Sequence, residues 1–121
     1  MTVKRWSLAA VLIATAILLT GCRTAHDVEL RYVWDTEAAE ELTNQRDVTE
    51  TVCGAQFDCV EAWQADQGLF LKFASKQDAD AALLEGDVLI REIFIIRWKQ
   101  DIPSADKEYV EYMLRNAGTS E

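Results

Sequence analysis

The sequence predicts an α+β fold. Three observations carry this reading: stretches of period-two alternation rich in aromatic and β-branched residues, stretches of helical periodicity, and turn residues between them. Composition agrees. The 121 residues are 50% hydrophobic and 27% charged, with one proline and five glycines. That excludes a disordered, collagen-like or low-complexity chain and provides for a single domain. The net charge of −9 argues against nucleic acid as a partner, and against non-specific attraction to anionic lipid, because both select a basic face.

Each element has a local reason. Val28, Leu30, Tyr32 and Trp34 alternate with Glu29, Arg31 and Val33, which reads as a first strand. The same stretch can also open a helix, in which case a three-stranded sheet remains. Asp35 or Thr36 caps a helix expected over 36–52, irregular near Asn44 where polar residues cluster. Glu37, Glu40 and Glu41 suit its positive N-terminal end, Leu42, Val48 and Val52 form its thin apolar stripe, and Gly54 terminates it. Phe57 to Trp63 and Leu69 to Ala74 read as two strands joined at Asp66-Gln67-Gly68. Ser75 followed by Asp78 is an N-cap signature for a helix carried inward by Ala79, Ala82 and Leu83 and stopped at Gly86. Val88 to Lys99 is the strongest strand. Pro103 breaks it, and Ser104 caps a last helix with Tyr109, Val110, Met113 and Leu114 on one stripe. The resulting order, β-α-β-β-α-β plus a C-terminal helix, resembles a ferredoxin-like sandwich in the order and length of its elements.

The N-terminus has a different character. Lys4 and Arg5 precede an apolar run from Ser7 to Thr20, about 14 residues where a membrane span needs about 20. The run ends at Leu19-Thr20-Gly21-Cys22. Basic start, short apolar core and terminal cysteine together resemble the signal peptide and lipobox of bacterial lipoproteins. The resemblance covers positions 1–22. It implies cleavage before Cys22, a diacylglycerol thioether on its sulfur with further acylation such as palmitate, and a location on the cell membrane or outer membrane facing away from the cytoplasm. Arg23, rather than an aspartate, implies the outer membrane in a double-membraned host. The expected organisation is then a signal peptide (1–21), a lipidated N-terminus and short tether (22–27), one α/β domain (28–117) and a C-terminal tail (118–121).

Two cysteines, Cys53 and Cys59, remain after lipidation. Exported pairs usually form disulfides, and a structural bond is the expectation. A redox-active pair is the alternative, without the Cys-x-x-Cys spacing that lowers a thiol pKa.

Strand parity sets Leu69, Leu71 and Phe73 on one face of the sheet and Phe70 on the other. Trp63, Phe70, Phe94 and Trp98 would make an aromatic surface larger than a monomer normally exposes. Either the C-terminal helix covers it or part of it is an interaction patch for a protein partner or a second copy.

Catalytic chemistry has no motif here. The sequence contains no Gly-x-Ser-x-Gly, no His-Glu-x-x-His and no phosphate-cradling loop, and its one histidine, His26, falls in the expected tether. Asp78, Asp80, Glu85 and Asp87 do not follow the spacing of a calcium loop. No cofactor or metal is expected. The expected function is a non-enzymatic, lipid-anchored envelope protein that binds another protein. A small-ligand or glycan-binding domain is the alternative, and a redox protein using Cys53 and Cys59 the third reading.

Overall fold

A computed structural model describes residues 24–36 and 40–118. The expected signal peptide, Cys22 and residues 119–121 lie outside this range. The elements are a 3₁₀ turn (Ala25–Asp27), α1 (Leu30–Thr36), β1 (Arg46–Asp47), α2 (Thr49–Val52), β2 (Glu61–Ala65), β3 (Gly68–Lys72), α3 (Lys76–Ala82), β4 (Val88–Ile90), β5 (Phe94–Trp98) and α4 (Ser104–Asn116). No helix among the described residues is long and apolar enough to cross a membrane.

The α+β class holds. The sheet has five strands in the order β1-β2-β3-β5-β4, and every neighbouring pair is antiparallel. This strand order is not the expected ferredoxin-like one. Only a local part of that arrangement is present: α3 links β3 to β4, and β5 lies between them.

Helices cover both faces, because strand parity makes both faces apolar. On the first face Phe70, Phe94 and Ile96 meet Leu30, Val33 and Trp34 of α1 and Val110 and Leu114 of α4. On the second, Ala62, Leu71, Phe73 and Ile95 meet Val52 of α2 and Ala79 of α3. Each large apolar side chain removed from water contributes about 1.5–3 kcal/mol before entropic costs. Trp34 is fully buried against Phe70, with ring centroids 4.8 Å apart. Its indole N–H has no hydrogen-bond partner.

Four of the expected elements are corrected. The segment 28–34 is not a strand. Leu30, Val33 and Trp34 also fit helical spacing, and a distant carboxylate decides the outcome: Glu61 accepts from the Leu30 N–H at 2.9 Å and the Arg31 N–H at 3.2 Å, filling the donors at the start of α1. The helix expected over 36–52 is not continuous; residues 37–39 lie outside the described range. Leu42 packs in the first core and Val48 and Val52 in the second, so the chain passes round the sheet edge between them and forms β1 there. No single helical stripe can serve both faces.

The third correction concerns 88–99, which is a hairpin rather than one strand. Arg91 and Glu92 turn it with φ of 52° and 70°, a region that side-chain-bearing residues seldom occupy. The Arg91 guanidinium holds the end of α4, donating to the carbonyls of Leu114 (3.3 Å) and Ala117 (2.6 Å). Fourth, the strand expected from Phe57 begins only at Glu61, because 53–59 is a closed loop.

Of the other local readings, the Ser75 cap and the Gly68 turn agree with the structure. Ser75 caps α3, its hydroxyl accepting from the Asp78 N–H at 3.1 Å. Gly68 has a second role besides the turn. A Cβ there would lie 2.7 Å from the Arg97 carbonyl oxygen, so the close approach of β5 requires glycine. Ser104 is the first residue of α4 and not its cap; Pro103 occupies that position.

Candidate functional site

The aromatic face does not form a surface. Trp63, Phe70, Phe94 and Trp98 do share one side of the sheet, as parity requires. Phe70 and Phe94 are, however, fully buried beneath α1 and α4. Trp98 stands edge-on to Phe70, with centroids 5.6 Å apart, and its Nε1 donates to Glu111 of α4 at 2.9 Å. Trp63 donates to Glu61 at 3.1 Å. The two tryptophans are half-buried at the rim of a filled core. The α1 helix, the alternative reading of 28–34, supplies much of the cover.

The second face offers a different concavity. Cys53 and Cys59 are joined by a disulfide, closing the loop between α2 and β2. Within it the Gly54 N–H donates to the Phe57 carbonyl at 2.7 Å, and the N–H groups of Gln56 and Phe57 donate to the Val52 carbonyl. Gly54 has a φ of 89°, which its lack of a side chain permits. These bonds project Phe57 towards α3. Both cysteines are half-buried against the second core, where the bond braces the loop.

One cation fixes the loop against the rest of the domain. The Arg97 guanidinium lies 5.3 Å from the centre of the Phe57 ring. It makes a two-pronged pair with Asp87, Nε to Oδ1 at 2.9 Å and Nη2 to Oδ2 at 2.8 Å, and also donates to the Ala82 carbonyl. The Leu84 N–H donates to the same Asp87 carboxylate at 2.9 Å. Burial pushes the Asp87 carboxyl up, but the hydrogen bonds from Arg97 and Leu84 outweigh it and hold the group below its ordinary value. The Arg97 guanidinium is correspondingly raised, first by its hydrogen bond to Asp87.

Between the loop and α3 lies a groove of about 300 Å³. Phe57, Ala81, Ala82 and Leu84 form its apolar lining, and Asp58 and Asp78 stand among its polar residues. Leu83 and Leu84 add exposed apolar surface beside it, Leu84 at 60% exposure. The groove has carboxylates and apolar contact area but no nucleophile paired with a base. Of the other acids read with Asp78, Asp80 pairs with Lys76 at 2.7 Å and Asp87 with Arg97. No group of three or more metal-ligating side chains occurs among the described residues.

A second, more polar hollow lies near α2, lined by Asp47, Thr49, Glu50, Thr51, Val60 and Glu61. Two of its three acids serve the fold: Asp47 accepts from the Thr49 N–H, and Glu61 holds α1. Sequence reading missed the groove because its two walls are separated along the chain and are brought together by Arg97 and by the second core. Cys-x5-Cys was the available signal for one wall. Comparison of the chain with known families, with curated proteins and with solved structures found no match.

Proposed function

We propose that this protein is a lipid-anchored envelope protein whose domain is a non-enzymatic interaction module, docking a partner protein in the groove between the disulfide loop and α3. The observation that carries the reading is the chemistry of that groove. It combines an apolar lining with two rim carboxylates and lies beside exposed leucines. Such a surface favours a polypeptide segment with a lysine or arginine among apolar residues, whose cation meets Asp58 and Asp78 while its neighbours bury against Phe57 and Leu84. The acidic balance of the whole chain, −9, draws the same class of partner. The signal-like N-terminus with Cys22 supports the location.

A photo-crosslinking residue at Ala81, in the lipidated protein within its own envelope, tests the docking site, with the same residue at Gln100 as the control. The expected adduct forms from Ala81 only, maps to a basic and apolar segment of one protein, and weakens in Asp58→Lys/Asp78→Lys. Equal adducts from both positions, or none from Ala81, overturn the reading. A small ligand is the second reading, favoured by the groove volume, which matches the lower end of ligand pockets, and by its Phe57 wall.

A further inference from the structure

We infer that the lipid anchor sets the orientation of the domain, standing it on the bilayer with the end of the sheet that carries Lys72 and Phe94 against the headgroups. This inference rests on the proposed lipidation of Cys22. Its physical basis is that the residues expected to be a tether belong to the fold. Asp27 accepts from the Thr24 N–H at 3.0 Å and from the Thr24 hydroxyl at 3.4 Å. Ala25 packs against the first core, and Val28 is buried in it. The His26 ring donates from Nε2 to the Ala74 carbonyl at 3.0 Å. The His26 carbonyl in turn accepts from the Lys72 ammonium at 2.8 Å, and Lys72 is itself buried.

The lipidated sulfur therefore belongs to a residue only two peptide steps from a fixed one. Those steps span at most about 7 Å. The turn sits where β3 ends, beside Ala74 and the start of α3. The Phe73 N–H donates to the Ile93 carbonyl, which places the Arg91–Ile93 turn at this same end. The opposite end carries the Asp66-Gln67 turn, with the Lys99 N–H donating to the Gln67 carbonyl. Four residue steps of β3 separate the ends, about 13 Å, nearly twice the reach of the anchor, so the end that carries the turn is held nearer the lipid than the far end. Exposed charges near the turn are of both signs, Arg31 and Lys76 with Glu29 and Glu92, so no basic patch accounts for this orientation. The short link from the fixed turn to the anchor is what favours it.

The test uses the full lipidated chain in vesicles, with a photoreactive residue at Glu92 or at Gln67 and lipid adducts as the readout. Glu92 is expected to give several-fold more lipid adduct than Gln67. A Gly-Ser insert of about 20 residues between Arg23 and Thr24, with a mean reach of about 25 Å, is expected to bring the two yields together. Fatty-acid labelling of the same samples separates the two layers of the argument. A chain that takes up no label, like Cys22→Ala, removes the anchor and the orientation with it. A labelled chain with equal yields at Glu92 and Gln67 overturns the orientation alone.

Discussion

At the residue scale, Asp87 joins two segments through one buried carboxylate. Its side chain is 3% exposed and its carboxylate serves both Arg97 and the Leu84 N–H. Because its folded pKa lies below the ordinary 3.8, the ionised form stabilises the fold. That contribution is complete above the ordinary value and is lost as pH falls through the lower, folded one. Asp87→Asn is therefore expected to lower stability by about 2 kcal/mol at neutral pH and to flatten the loss of stability below pH 4. Urea melts across that range check both effects. Residues whose position depends on local periodicity were legible in the sequence. The facing of Leu69, Leu71 and Phe73 against Phe70 follows from the alternation of a strand, and the Ser75 cap from side-chain chemistry three residues away. Asp87 was not legible, because its significance depends on Arg97, ten residues on and across a hairpin.

At the scale of elements, the closed loop between Cys53 and Cys59 supplies one wall of the groove and the restraint that holds it. Replacing both cysteines by serine is expected to cost about 2 kcal/mol, the entropy of so short a loop. It should also lose the groove-directed crosslink from Ala81 while circular dichroism still reports a folded chain, since Phe57 would no longer be held towards α3. Retention of the crosslink in a folded double variant would show that Arg97 suffices to place the wall. Elements decided by distant partners were the ones the sequence misled on. Leu30, Val33 and Trp34 satisfy two periodicities, and Glu61 selects the helix from across the fold. Arg91 and Glu92 carry no turn signal, yet Arg91 secures α4 from that turn. β1 has two residues, too few for a pattern.

At the scale of the whole molecule, one sheet separates two apolar cores. Phe70 is buried in the first and Leu71, its neighbour in β3, in the second. Phe70→Ala and Leu71→Ala are each expected to cost about 3 kcal/mol. Both should move the same unfolding transition, because the strand that carries them is common to both layers. Two separate transitions in calorimetry would show that the layers melt independently. The α+β class was legible because it needs only the kinds of element present; the three-layer arrangement was not, since it depends on a helix where alternation pointed to a strand. The sheet's outermost strands have a further consequence. One is the exposed, charged pair Arg46-Asp47 and the other is the three-residue strand Val88–Ile90. Neither presents a long, flat row of free backbone donors and acceptors on which another strand can grow. Copies crowded side by side thus have little backbone edge along which to zip into fibrils.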